Sequence, residues 1–205
     1  MPIDFFVTPC CNPRGDCQTE PNQCLQNIPN ATFGISDVNG GNSVPAKIIV
    51  ANPNPNTDFI VVNNSNTPVN FKAVDWCVDI YRTGTYDLDD ENRVDTQFSS
   101  DSVFMHGSEL IKRCEGFLQY DNKVLFIEMK DIPKAKGGWV ADARKKFEET
   151  ILSFKEHHPN LILRIVKPIL CNPSFPGPHP NETIQKKILK DKIGLEFIRQ
   201  DSITI

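Results

Sequence analysis

The sequence predicts an α/β protein, and three observations predict it. Cys114–Tyr120 and Lys123–Lys130 are apolar runs flanking the turn Asp121-Asn122, the pattern of a β-hairpin. Val140, Ala143, Phe147, Ile151 and Phe154 recur at intervals of 3, 4, 4 and 3, which draws one apolar stripe along a helix over Val140–Glu156. Leu161–Val166 (LILRIV) is a short apolar run that reads as a buried strand. The order from 114 to 166 is therefore strand, turn, strand, helix, strand.

The remaining elements follow in chain order. The first 70 residues hold 13 Asn and 9 Pro, which favours turns and extended segments over helix. Within them, residues 46–51 and 58–62 read as short strands, with a disordered linker as the competing reading. Phe71–Tyr81 reads as a strand or a short helix, residues 87–95 as an acidic turn, and Ser108–Arg113 as a helical or loop segment. A loop with Pro133, Gly137 and Gly138 separates the hairpin from the main helix, which His157-His158-Pro159 ends. Cys171–Pro180 holds four prolines and is a loop. Glu182–Lys192 is a second helix, and Leu195–Ile198 a final strand. The expected division is an irregular, β-leaning segment at 1–70 and an α/β domain at 71–205.

Composition narrows the function classes. The chain has 205 residues and a formal charge of −4, unevenly spread. Residues 1–102 carry 5 Lys+Arg and 13 Asp+Glu, whereas residues 103–205 carry 17 and 13. An acidic first half suits docking to a basic partner protein. The pI of about 5.6 argues against coating nucleic acid by bulk charge but leaves room for a local basic groove. No run approaches the roughly 20 apolar residues of a membrane helix. The start, Met1-Pro2-Ile3-Asp4-Phe5-Phe6, has no basic or long apolar region, so no secretory signal is expected. That feature and seven cysteines, an odd number, point to reduced thiols and a cytoplasmic setting. Cys10, Cys11, Cys17 and Cys24 are either four free thiols or a zinc site without a C-x-x-C knuckle.

The chemistry is concentrated in the hairpin. Residues two apart in a strand share a face, so Glu128 and Lys130 project together from the end of the second strand. Antiparallel pairing about the turn brings Glu115 beside them. Polar groups converging at one end of an apolar hairpin are costly unless they are paired or solvated. The bland alternative is an exposed same-face ion pair of at most about 1 kcal/mol.

Glu115 followed by Glu128-x-Lys130, with a helix (Ala143-Arg144-Lys145-Lys146-Phe147) and a strand after it, resembles the PD-(D/E)xK nuclease superfamily. The resemblance spans roughly residues 104–167. It departs in having Glu at 115, where the family usually has Asp, and no Pro before it. It implies a restriction-endonuclease-like central mixed β-sheet flanked by helices, with the N-terminal segment added. It implies a Mg²⁺- or Mn²⁺-dependent nuclease acting on DNA, in bacterial restriction, defence or repair. Glu115, Glu128 and the Met129 carbonyl would hold the metal. Lys130 would orient or deprotonate water, or offset charge in the transition state. Glu109 would supply an extra acid. Some relatives keep the fold without catalysis, so a binding, immunity or accessory protein is the alternative.

Lys134, Lys136, Arg144 and Lys146 are candidate phosphate contacts. The basic residues of the main helix are equally a solvated face. Trp139 either stacks on a base or anchors the start of that helix. His157 and His158 read as solvated residues at a helix end rather than metal ligands. Asp75 and Asp79 read as surface acids.

Overall fold

The computed structural model describes residues 5–6, 25–37, 45–75, 80–83, 97–99, 109–133 and 138–205, with the side chains of 82, 83, 97–99 and 109 left aside. In chain order the strands and helices are β1 (Leu25–Ile28), β2 (Thr32–Ser36), β3 (Lys47–Ile49), β4 (Phe59–Val62), β5 (Val69–Ala73), β6 (Tyr81–Thr83), β7 (Gln97–Ser99), β8 (Glu109–Leu110), β9 (Gly116–Tyr120), β10 (Lys123–Met129), α1 (Trp139–His157), β11 (Arg164–Ile165), β12 (Ile169–Cys171), α2 (Glu182–Ile193), β13 (Ile198–Arg199) and β14 (Ser202–Thr204). The fold is mixed α/β. A seven-stranded sheet runs β1-β5-β9-β10-β12-β13, with β11 also on β10. A four-stranded sheet runs β14-β4-β2-β3, and β7-β6-β8 form a small third sheet.

The hairpin follows its sequence pattern. Lys123 pairs with Tyr120 and Ile127 with Gly116, so the connection is Asp121-Asn122. Asp121 takes φ 49°, a left-handed conformation that a short polar residue tolerates. Six of the seven β10 residues are buried, which marks a strand covered on both faces. On one face lies α1, where Phe154 meets Phe126 and Phe117 with ring centroids 5.3 and 5.9 Å apart. Phe5 and Phe6 close this cluster through Phe154, at 5.2 and 5.7 Å. Gly116 sits where β5 crosses closest. A Cβ there would lie 2.4 Å from the Lys72 carbonyl oxygen. Backbone cannot yield cheaply, so Gly116→Ala is expected to cost about 2–3 kcal/mol in urea unfolding.

The helix α1 connects β10 to strands parallel to it, β11 and β12. Its apolar stripe is buried as expected, but so are Arg144, Glu148, Glu149, Thr150 and Ser153. The helix is enclosed on more sides than its stripe implies, because α2 covers a second face. Phe147 stacks on Phe197 at 6.2 Å, and Arg144 Nε donates to Gln185 Oε1 at 3.2 Å. Gly194 ends α2 at φ 78°, where a side chain would be strained.

One expectation about the strands is corrected. The buried strand after α1 is Ile169-Leu170-Cys171, not Leu161–Val166. Ile162 is 92% exposed, and only Arg164–Ile165 of that run pairs with β10. The register advances by one residue between Val124↔Ile165 and Ile127↔Ile169. Pro168 falls in that step, where a residue with no N–H breaks the ladder. The boundary drawn at residue 70 falls inside β5. β1 joins the large sheet through β5, and β14 from the C-terminal end pairs with β4, so both parts of the chain share both larger sheets. No helix among the described residues is long and apolar enough to cross a membrane.

Candidate functional site

Glu115 immediately precedes β9, and Glu128 is the penultimate residue of β10. Gly116 faces Ile127, so the next pair outward places Glu115 opposite Glu128 on the face that carries Phe117 and Phe126. That is the face α1 covers, and α1 supplies Asp142 and Lys146 one turn apart. Lys146 Nζ reaches both carboxylates, 3.3 Å from Glu115 Oε1 and 2.9 Å from Glu128 Oε1. It also lies 3.5 Å from Asp75 Oδ2, just beyond the end of β5. Lys130 Nζ lies 2.8 Å from Glu128 Oε1 and 3.1 Å from Asp142 Oδ2. Lys112 bonds Asp142, and Arg113 Nη2 holds Asp75 Oδ1 at 3.2 Å. The backbone that presents Glu115 is itself fixed. Thr150 Oγ1 accepts from Cys114 N at 2.9 Å, and Glu149 Oε2 accepts from Lys112 N at 2.6 Å.

The result is a buried network of alternating charge with one irregularity. Glu128 is 0% exposed, and its Oε2 has no hydrogen-bond partner among the described residues. A buried carboxylate oxygen left without a donor is costly and marks a place where a cation or a donor fits. Burial pushes the Glu115 carboxyl well above the usual carboxylate range, the neighbouring Glu128 charge pushes it further, and Lys146 opposes both. Burial also raises Glu128, against the pull of Lys146 and Lys130. Burial works against the Lys146 ammonium, yet Glu128, Glu115 and Asp75 outweigh it and hold its pKa above the ordinary value. Asp37, beyond the end of β2, is half-buried nearby. Its carboxyl is raised by burial, with Lys146 opposing and Asp75 adding to the shift.

The candidate residues fall into three groups. Glu115, Glu128 and Lys130 come together, with the Met129 backbone between the last two. Lys146, a candidate phosphate contact, is a member of this cluster. Arg144 is corrected: it is 2% exposed, its Nη1 lies 2.5 Å from Glu148 Oε2, and it faces α2 rather than solvent. Lys134, Lys136, Cys10, Cys11, Cys17 and Cys24 lie outside the described residues, as does the side chain of Glu109. Among the other candidates, Trp139 is an anchor, 4% exposed and edge-on to His179 at 5.1 Å. His158 is not a solvated helix end. It packs against Phe5, Phe6 and Phe154, and its Nε2 accepts from Phe5 N at 3.2 Å.

Asp75 is not a surface acid, and Asp142 and Asp37 escaped the sequence reading. Asp142 and Lys146 carry a faint signal, because a four-residue spacing puts them on one helical face. Asp37 and Asp75 carry none, since nothing local ties them to the hairpin. No protein-family model, curated protein or solved structure matches this chain. The site's own geometry therefore bears the functional argument.

The network has a pH signature. Glu115 in the folded state binds its proton more tightly than at its ordinary value of 4.5. The folded chain therefore holds more protons than the unfolded chain above that pH, and stability from this group is lost as pH rises through the folded pKa. Glu115→Gln removes the titration. In EDTA, its urea midpoint relative to the parent chain is expected to increase steadily from pH 4.5 upward. A difference that stays flat with pH would contradict this.

Proposed function

We propose that the chain is a Mg²⁺- or Mn²⁺-dependent phosphodiesterase that cleaves DNA, on a restriction-endonuclease-like sheet. The observation that carries the reading is the meeting of Glu115 and Glu128, from adjacent antiparallel strands, on a single cationic group. Their donors are hard carboxylate oxygens, the kind Mg²⁺ prefers, and Glu128 Oε2 is buried with no hydrogen-bond partner among the described residues. Among the described residues no group of three or more His, Cys, Asp or Glu is arranged to hold a metal. The fit is therefore to a two-carboxylate site completed by the Met129 carbonyl and water. Bound there, the metal would supply a water of lowered pKa and neutralise charge on phosphate.

The chain's own residues divide the remaining work. Glu128 ties the metal position to Lys130, whose ammonium stands 2.8 Å from it. Asp142 keeps that amine from collapsing wholly onto Glu128, and its own carboxyl is held below the usual range: burial opposes this, but the Lys112 hydrogen bond and Lys130 prevail. Lys130 is thereby positioned to orient a water or to offset negative charge as the phosphate is attacked. A bacterial cytoplasmic defence or repair setting accompanies this reading.

A second reading rests on a different feature of the same cluster. The ammonium of Lys146 already neutralises the carboxylates, which suits a catalytically idle binding or immunity-type protein whose acidic first half docks on a basic partner. The deciding experiment uses supercoiled plasmid and single-stranded DNA with Mg²⁺, Mn²⁺ or EDTA. Metal-dependent cleavage lost in Glu128→Gln and in Lys130→Met supports the nuclease. No cleavage under any metal, with a basic protein partner recovered, supports the second reading.

A further inference from the structure

Two amines touch Glu128, but they are not equivalent. Lys130 leaves the same strand, two residues on, and reaches only that carboxylate of the pair. Lys146 comes from α1 and lies between the two strands' acids, within 3.3 Å of one and 2.9 Å of the other. Its Nζ bridges the Oε1 atoms of Glu115 and Glu128, so a cation that both carboxylates share through those oxygens, with Glu128 Oε2 as a further ligand, would stand where the amine stands. A divalent ion sits about 2.1 Å from its oxygen ligands, so it would draw those oxygens closer than an ammonium does. Two cations cannot occupy that gap together.

We propose that Lys146 is a resident counter-ion that a divalent cation must displace, so that metal entry and withdrawal of the Lys146 amine are one exchange. This rests on the metal-site reading above and adds what limits the metal's affinity. The displaced amine has a ready acceptor. Asp75 Oδ2 is already 3.5 Å away and belongs to a carboxylate 15% exposed, while Arg113 holds the other oxygen, Oδ1, in place. Lys146 itself is 14% exposed, and in the exchange its tip would shift toward Asp75. Until then its charge keeps two buried acids from facing each other uncompensated. After the exchange the metal performs that task, and the amine stands at the rim, where a phosphate oxygen would meet it.

The exchange predicts an inversion that an ordinary binding residue would not give. Removing the amine strengthens metal binding. Titration of Mn²⁺ into Lys146→Met, followed by calorimetry, is expected to show affinity at least about tenfold tighter than in the parent chain, equivalent to about 1.4 kcal/mol. Mn²⁺ should also raise the melting temperature of Lys146→Met more than that of the parent. Lys130→Met leaves the resident ammonium in place and should show no comparable tightening. Where Lys146→Met fails to fold, Lys146→Gln, which keeps length and polarity, carries the same comparison. Unchanged or weaker affinity, or no binding heat from either chain, overturns the exchange. Parent-chain cleavage with unchanged affinity overturns the exchange alone. Tighter binding in Lys146→Met without cleavage by the parent overturns the nuclease and leaves the exchange standing.

Discussion

Glu128→Ala is expected to abolish DNA cleavage and to destabilise the fold at once. Loss of the carboxylate common to both amines removes a ligand of the proposed metal, and on that proposal a fall of at least about 10³-fold in rate, or about 4 kcal/mol of transition-state stabilisation, is expected. The same change strips the partner shared by Lys130 and Lys146. Breaking a buried ion pair from one side costs about 3–5 kcal/mol. The lower end applies here, because Asp142 still holds Lys130, and Glu115 and Asp75 still hold Lys146. Glu128→Gln separates the two effects. The amide keeps the shape of the side chain, so it should recover part of the urea stability and none of the cleavage. Recovered cleavage in the amide variant would remove Glu128 from the chemistry.

Glu148→Ala is expected to be comparably damaging to stability, for reasons unrelated to the site. Glu148 is 0% exposed, with Arg144 at 2.5 Å through one oxygen and Lys192 at 3.3 Å through the other. Lys192 of α2 ties Glu148 to that helix, and Arg144 reaches Gln185 of α2, away from the Glu115–Glu128 cluster. Removal of Glu148 takes the carboxylate from a guanidinium that is 2% exposed, at a cost of about 3–5 kcal/mol. The double change Arg144→Met with Glu148→Leu should restore most of that loss, since two apolar side chains need no counter-charge. Urea unfolding of the single and double variants reads both numbers. A Glu148→Ala chain as stable as the parent would mean that this contact contributes nothing to the α1–α2 interface.

The sequence made the central hairpin legible because two constraints coincide there. Alternation sets the faces, the Asp121-Asn122 turn sets the register, and together they set Glu115 against Glu128 with no tertiary information. The helix α1 was legible from its periodicity and from the proline that follows, and α2 was named from the segment Glu182–Lys192. Leu161–Val166 misled because apolar content alone does not say whether a run is paired. That run lies at the margin of the sheet, and the pairing that buries a strand begins after Pro168.

The charged side of α1 misled for a related reason. Amphipathicity distinguishes apolar from polar, not dry from wet. A helix covered by a sheet on one side and a second helix on another buries its polar residues as pairs, and Arg144 with Glu148 does so.

From the sequence alone came the α/β class, the two helices, the hairpin and the convergence of Glu115, Glu128 and Lys130, all settled by spacings of a few residues. Tertiary structure alone decided the rest. It brought Lys146 and Asp142 across from α1 and Asp75 from the end of β5, and it joined both ends of the chain into shared sheets. Such contacts depend on which faces meet after folding, and the charge state of each group depends on its distance from the others and from water. Neither quantity is encoded in local periodicity, so the acids could be located from sequence while the cation seated between them could not.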